Sequence, residues 1–206
     1  MEEQKQNIIS EAGKIFMRYG IKSVTMDDMA RHMGVSKKTL YKFVSDKNEL
    51  VYEVMKSHCD QEGVTIGGIC ERGLNAIDES FEISKFVVSK LKEIHPSIHF
   101  DLEKYHPQVW KDFKFIEGGQ IYNCMVSNIE KGIKEGLYRD DLNIPVILKI
   151  YISRFDVVFD GEMFPKEEYN FADVYLEMFR YHIRGIASKK GIDYLIEKVK
   201  IEKQNL

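Results

Sequence analysis

Residues 26–43, with the sequence MDDMARHMGVSKKTLYKF, contain the pattern from which the architecture of the chain is most directly inferred. Gly34 can take the left-handed backbone conformation that ends a helix, and Ser36 is a good N-cap for the next one. Ala30 is small, which suits a position where two helices cross closely. Apolar side chains at helical spacing form the predicted shared core: Met29, Met33, Leu40 and Phe43. The stretch therefore predicts two short helices joined by a tight turn.

The side chains left on the outside of the second of these helices are basic or able to form hydrogen bonds: Ser36, Lys37, Lys38, Thr39, Tyr41 and Lys42. A short helix with such a face can place its N-terminal part in the major groove of double-stranded DNA. A solvent-exposed basic face on an ordinary helical hairpin is the alternative. It is less favoured because the serine cap, the glycine turn and the tyrosine between lysines all have the spacing of a groove-docked helix.

The segments on either side of this pair also have a helical pattern. A first helix that ends at Gly20 is predicted from an apolar stripe at spacings of three and four: Ile8, Ile9, Ala12, Ile15 and Phe16. Thr25 is the predicted N-cap of the second helix, and Ser45 or Asp46 is that of a fourth. Four helices are thus expected within about sixty residues.

Helical periodicity continues to the end of the chain, and no run of alternating polar and apolar residues is long enough to predict a strand. The predicted fold class is all-α. An N-terminal three-helix helix-turn-helix domain is followed by a larger helical domain for ligand binding and dimerisation. The predicted boundary assigns DNA binding to residues 1–48, and effector binding and dimerisation to residues 49–206.

Composition excludes several classes of protein. With 206 residues, of which 44% are hydrophobic and 31% charged, the chain is neither disordered nor fibrous. No stretch approaches the roughly 18 apolar residues of a membrane-spanning helix, and the polar start MEEQKQNIIS lacks the features of a secretory signal, which predicts a cytoplasmic protein. Residues 1–50 have 9 Lys and Arg against 7 Asp and Glu, whereas the remainder has 21 against 26. This asymmetry fits a basic DNA-binding head on an acidic body.

Two strongly apolar segments near the C-terminus predict the interface of a homodimer. Residues 144–159 are apolar on nearly every face, and residues 171–186 have a broad apolar stripe at helical spacing. Two buried core helices of a monomer are the alternative. Reading DNA also requires a dimer, because one short helix contacts too few bases, and paired heads about 34 Å apart meet successive major grooves.

Residues 7–55 resemble the DNA-binding domain of the TetR family of bacterial transcription regulators. The resemblance is carried by residues 25–30 (TMDDMA), 34–43 (GVSKKTLYKF) and 46–50 (DKNEL). It is weaker after residue 51, although residues 132–141 (GIKEGLYRDD) resemble the family's helix end and turn before its final two helices. The resemblance implies a sequence-specific regulator, a repressor released from a palindromic operator by a ligand bound in the C-terminal domain.

The resemblance also implies roles for individual residues. The implied phosphate contacts are Thr25, Tyr41 and Lys47. The residues implied to lie nearest the base edges are Ser36, Lys37, Lys38 and Thr39. Lys42 departs from the family, which often has histidine at this position, and its positive charge should strengthen phosphate contact.

The C-terminal body is dense in aromatic residues, which predicts an apolar pocket for a small apolar or aromatic effector. The predicted lining residues are Phe100, Trp110, Phe113, Tyr122, Tyr151 and Phe155. Ordinary core packing is the alternative for each of them. A regulator controlled by a protein partner or by its own abundance is the alternative for the protein.

No cofactor, metal or catalytic site is predicted. His95 and His99 are four residues apart, but Pro96 places His95 before the start of a helix, so that the rings do not share a helical face. The three cysteines have neither metal-ligand nor redox-motif spacing. An enzyme is the less favoured class, because the chain has no Gly-rich phosphate loop and no nucleophile elbow. Residues 189–206 have a spacing that suits an extra short helix or a frayed terminus.

Overall fold

The computed structural model describes residues 2–165 and 167–204, and within them the fold is all-α, as the sequence predicts. The helices are α1 (Glu2–Tyr19), α2 (Met26–His32), α3 (Lys37–Leu40), α4 (Lys47–Cys70), α5 (Ala76–Glu93), α6 (Ile98–Tyr105), α7 (Pro107–Lys134), α8 (Ile144–Val158), α9 (Phe171–Ile186) and α10 (Lys189–Gln204). An isolated antiparallel bridge joins Tyr138 to Ala187.

These helices form two compact units. The N-terminal unit contains the described residues up to Thr65 together with Glu93–Gly118, and the C-terminal unit contains Ile66–Lys92 together with the described residues from Gly119 onward. Helices α4 and α7 therefore begin in the N-terminal unit and end in the C-terminal unit. The functional boundary between residues 48 and 49 stays a prediction.

The core of the N-terminal unit is built on α1. The predicted stripe of α1 is buried in full: Ile8, Ile9, Ala12, Ile15 and Phe16. Gly20 follows the helix with a φ of 80°, the left-handed conformation that glycine adopts most easily. Ile98 and Leu102 of α6 and Val109 of α7 belong to the same core. Helices distant in sequence thus support the N-terminal head.

Helix α3 is shorter than its sequence predicts. The pattern runs to Phe43, whereas the α-helix ends at Leu40. The following residues form a tighter turn, because Lys42 N–H donates to Thr39 O and Phe43 N–H donates to Leu40 O, each a bond to the third residue back. Leu40 is fully buried, and Phe43 still packs against the core. The apolar pattern therefore predicts which residues pack inward, but not the change from an α-helix to a tighter turn after Leu40.

Helices α8 and α9 pack on each other within the C-terminal unit. The buried residues of α8 are Leu148, Tyr151 and Val158. Its other face is exposed in the single chain and carries Val146, Ile150 and Val157. Residues 144–159 are apolar on nearly every face, so the single chain leaves an apolar surface exposed on α8.

The final segment forms a helix that packs against the C-terminal unit. On α10, Leu195 is buried and Tyr194 Oη donates to Asp78 Oδ2 at 2.7 Å. Lys198 Nζ lies 2.7 Å from Asp78 Oδ1. The predicted extra helix is therefore present, and these contacts contradict a frayed terminus over residues 189–198. Residues 205 and 206 lie outside the described part of the chain.

Candidate DNA-binding surface

Thr25 and Asp28 set the start of α2 by capping each other. Asp28 N–H donates to Thr25 Oγ1 at 3.1 Å, and Thr25 N–H donates to Asp28 Oδ2 at 3.1 Å. Thr25 Oγ1 also donates to the same carboxylate oxygen at 2.6 Å. These bonds from Thr25 hold the pKa of Asp28 below its usual value. Thr25 remains exposed at the helix N-terminus, where a phosphate is favoured by the helix dipole.

The turn between α2 and α3 has the geometry expected from its residues. Gly34 has a φ of 66°, and Val35 N–H donates to Ala30 O at 3.0 Å. Ser36 Oγ accepts Thr39 N–H at 3.0 Å and lies 2.8 Å from Thr39 Oγ1. The predicted serine cap is confirmed, and the direction of α3 is fixed by contacts within ten residues.

The outer face of α3 and the turn after it is exposed and basic. Lys37, Lys38, Tyr41 and Lys42 all reach solvent. Lys37 Nζ lies 2.9 Å from Asp27 Oδ1, and the hydrogen bond to Asp27 raises the pKa of Lys37. Within the described part of the chain, Lys38 and Lys42 have no ion-pair partner. Their ammonium groups are accordingly available to a polyanion.

Lys47 has a different position from the other predicted contacts. Its Nζ is half-buried and donates to Ile21 O at 2.7 Å and to Val24 O at 2.6 Å. Burial lowers the pKa of Lys47. The side chain thus ties the start of α4 to the loop between α1 and α2. Its contact with a phosphate stays a prediction.

Asp101 of α6 holds the same loop from the other side. Its Oδ2 accepts the backbone N–H of Ile21 at 3.0 Å and that of Lys22 at 2.9 Å, and it accepts Ser97 Oγ–H at 3.0 Å. The carboxylate is buried. A Cβ on Gly20 would lie 2.5 Å from Ser97 Oγ, so glycine is needed there for space as well as for its φ.

We call Asp101, Lys47 and the loop residues 20–24 the loop clamp. The Asp101 carboxylate accepts hydrogen bonds from two N–H groups of the loop, and the Lys47 ammonium donates to two of its carbonyls. The loop ends immediately before the capping residue Thr25. Sequence reasoning missed Asp101, because its partners are 79 and 80 residues away and no local pattern marks it.

The six predicted effector residues are divided between the two units. In the N-terminal unit, Trp110 and Phe113 pack on the core with ring centroids 5.7 Å apart, while Phe100 is 53% exposed. In the C-terminal unit, Tyr151 is buried with Phe155 5.7 Å from it, and Tyr122 packs on the same core. The six do not form one cluster. The exposure of Phe100 gives no support to a pocket-lining role.

The N-terminal unit contains a small cavity and an open depression between α4 and α7. Phe113 and Cys59 line a cavity of about 10 Å³, enough for a single water. Tyr52 and Ile116 line both this cavity and an open depression of about 440 Å³. Neither space is lined by more than one of the six predicted residues.

The histidines do not share a helical face. His95 precedes α6, as predicted, and its Nδ1 lies 3.0 Å from Ser97 Oγ, whereas His99 packs edge-on against Trp110. Among the described residues there is no group of three possible metal ligands. No helix in that part of the chain combines the length and apolar character needed to cross a membrane.

Comparison with known proteins agrees with the geometry. Residues 8–54, which contain α2, α3 and the start of α4, match the family model of bacterial regulatory proteins of the tetR family. The chain is 22% identical to the HTH-type transcriptional regulator YvaF of Bacillus subtilis, over 91% of this chain and 98% of YvaF. It is 27% identical to YhgD of the same organism, over 78% of this chain and 85% of YhgD.

A solved structure extends the fold comparison beyond the head. The transcriptional regulator FadR from Bacillus subtilis, in complex with stearoyl-CoA, superimposes with a TM-score of 0.67 at 14% identity, covering 88% of this chain and 98% of FadR. The helix-turn-helix geometry, the match over residues 8–54 and the all-α body lead to the same assignment. Residues 8–54 match the DNA-binding domain of the tetR family of bacterial regulatory proteins, and the all-α fold of the rest of the chain agrees with that match.

Proposed function

We propose that the chain is a homodimeric, sequence-specific DNA-binding regulator of the bacterial cytoplasm. In this proposal it is a repressor that a small apolar or aromatic ligand releases from a palindromic operator, and it catalyses no reaction. The observation that carries the proposal is the exposed basic face of a short helix whose start is fixed by Ser36 and whose preceding turn is fixed by Gly34. Such a helix is presented rigidly enough to enter a major groove.

The proposed contacts divide into two groups. Residues at the N-terminal part of α3 would read base edges: Ser36, Lys37, Lys38 and Thr39. Residues around it would bind phosphates: Thr25, Tyr41, Lys42 and Lys47. Phosphate contacts supply affinity through counterion release and carry no sequence information, whereas base contacts supply the choice of site.

Lys38→Ala is expected to change the preferred operator sequence, because a base contact is worth about 1 to 3 kcal/mol of discrimination. Lys42→Ala is expected to weaken binding to all sequences and to reduce the salt slope by about 1. Binding-site selection followed by salt titration of fluorescence anisotropy measures both effects. Lys134→Ala, an exposed lysine of the C-terminal unit, is the matched control. An unchanged selected sequence for Lys38→Ala would contradict its assignment.

The proposed dimer interface is formed by the helices at residues 144–159 and 171–186. Its support is the apolar face that a single chain leaves exposed on α8, together with Tyr181 of α9, which is 71% exposed. An apolar helix face left exposed to solvent favours an interaction site. A second copy packed on α8 and α9 would cover it.

Ile150→Glu is expected to convert the dimer into a monomer and to abolish tight operator binding. A charge would replace an apolar contact at the centre of the exposed α8 face, where Ile150 is 44% exposed. Ile196→Glu on α10 is the matched control, because Ile196 is also an isoleucine and is 49% exposed. Sedimentation velocity measures the mass of each variant. Equal association of both variants would place the interface elsewhere.

The proposed effector is a small apolar or aromatic molecule. Support comes from the aromatic side chains within the C-terminal unit, among them Tyr151, Phe155 and Tyr175, and from the FadR structure, which contains stearoyl-CoA. Control by a protein partner or by abundance is the alternative. A purified regulator that leaves its operator on addition of a small amphiphile favours the effector. Release only by cell protein favours the partner.

A further inference from the structure

Two cysteines face each other inside the C-terminal unit. Cys70 is the last residue of α4 and Cys124 lies in α7, 54 positions later. Their Sγ atoms are 3.9 Å apart, and both side chains are partly buried. Cys59, which is earlier on α4, belongs to the N-terminal unit. The fold therefore pairs two of the three thiols, although their spacing in sequence predicts no chemistry.

A bond between the two sulfurs requires a displacement at the end of α4. A disulfide requires an S–S distance of about 2.05 Å, so Sγ of Cys70 must approach that of Cys124 by nearly 2 Å. Gly67 and Gly68 precede Cys70 in the last turns of α4, and apart from their chain neighbours and the backbone of α4 itself no described atom lies within 4 Å of a Cβ built on either. Gly73, with a φ of 68°, lies in the turn that follows. Closure therefore displaces no side chain packed on these glycines.

We propose that Cys70 and Cys124 are an oxidation site that a hydroperoxide converts into an intrachain disulfide. The thiolate of Cys70 attacks one peroxide oxygen, the O–O bond breaks, and a sulfenic acid forms at Cys70. Cys124 then attacks that sulfur, and water leaves. Two thiols and one hydrogen peroxide give one disulfide and two waters, so sulfur loses two electrons and oxygen gains them. A dithiol reductant reverses the bond by exchange.

The surroundings set the rate of this reaction. Burial raises the pKa of Cys70, and burial raises that of Cys124 to about 12. Glu79 of α5 opposes a thiolate at Cys70 and Lys131 of α7 favours one, and these two side chains pair with each other at 2.8 Å. Only a small fraction of Cys70 is thiolate at neutral pH, so oxidation is slow there. It is faster at pH 9 than at pH 7 because the thiolate is the nucleophile.

The test treats the native full-length protein with hydrogen peroxide at pH 7 and pH 9, without reductant. The expected product has lost two of its three thiols and about 2 Da of mass, and its non-reducing peptide map joins the peptides of Cys70 and Cys124. Dithiothreitol restores both thiols. Cys59→Ser forms the same bridge, whereas Cys70→Ser and Cys124→Ser form none. The oxidised protein also unfolds at higher urea, because the bond closes a loop of 54 positions.

Other products would overturn the proposal. A bridge that contains Cys59, a bridge between two chains, or three intact thiols after treatment at pH 9 each contradicts it. Oxidation in urea shows whether pairing depends on the fold, since an unfolded chain should give mixed bridges. These measurements do not use DNA, so they stand or fall separately from the proposed regulatory function.

Discussion

Asp101→Ala is expected to lower the free energy of unfolding of the N-terminal unit by about 3 kcal/mol, because two backbone donors of the loop clamp lose their acceptor. The hydrogen bond from the Ile21 N–H is buried, so loss of the carboxylate leaves that donor without its acceptor. The loop leads directly into Thr25, a proposed phosphate contact. When the loop is less ordered, Thr25 is held less firmly, and operator affinity should fall. Urea unfolding followed by circular dichroism measures the first effect, and fluorescence anisotropy with operator DNA measures the second.

Asp101→Asn is the control for this prediction. A single oxygen, Oδ2, accepts all three hydrogen bonds, and the amide oxygen of asparagine can take the same place. Asparagine should therefore retain most of the stability that alanine loses. If both variants are equally unstable, the negative charge beside Lys47 rather than the acceptor geometry holds the loop. If Asp101→Ala is as stable as the wild-type protein, the loop clamp contributes nothing to the free energy of unfolding.

Gly132→Ala is expected to destabilise the C-terminal unit by about 3 kcal/mol through overpacking. A Cβ at this position would lie 2.1 Å from Cδ2 of Tyr138. The ring cannot easily move away, because Tyr138 is buried and its hydroxyl lies 3.0 Å from Ala76 O and 3.1 Å from Asn128 Oδ1. Thermal unfolding of purified variants measures the loss.

Gly119→Ala, on the same helix α7, is the matched control. Apart from its chain neighbours and the backbone of α7 itself, no described atom lies within 4 Å of a Cβ built there, so alanine meets no obstacle from another part of the fold. Alanine favours the helix over glycine by up to about 1 kcal/mol, and the expected sign is therefore opposite. Equal unfolding temperatures for Gly132→Ala and the wild-type protein would contradict the close approach of Tyr138.

Features that depend on a few neighbouring residues could be predicted from the sequence. The caps at Thr25 and Ser36 and the left-handed turn at Gly34 were predicted because each uses atoms within four positions. The apolar stripe of α1 was predicted for the same reason, since burial follows the period of the helix. Local rules were sufficient for the fold class and for the candidate DNA-binding face.

Features that depend on distant contacts could not be predicted in this way. The ammonium group of Lys47 contacts two carbonyls more than 20 residues earlier, and nothing in residues 46–50 distinguishes that from a solvent-exposed lysine. Trp110 and Tyr122 lie on one helix, yet they pack in different units. Aromatic content alone does not tell which core a ring enters. The proximity of Cys70 and Cys124 could not be predicted either, because the two residues are 54 positions apart.

Helix α3 has a single α-helical turn, and this length limits how many base pairs one DNA-binding unit can contact. Four helical residues span about 6 Å, which is less than two base-pair steps of about 3.4 Å. Even in the proposed dimer, two such helices would contact few base pairs directly compared with the number of competing sites in a genome. We therefore expect the cost of bending and twisting the intervening base pairs to add selectivity, so that an operator is constrained at positions that no side chain contacts.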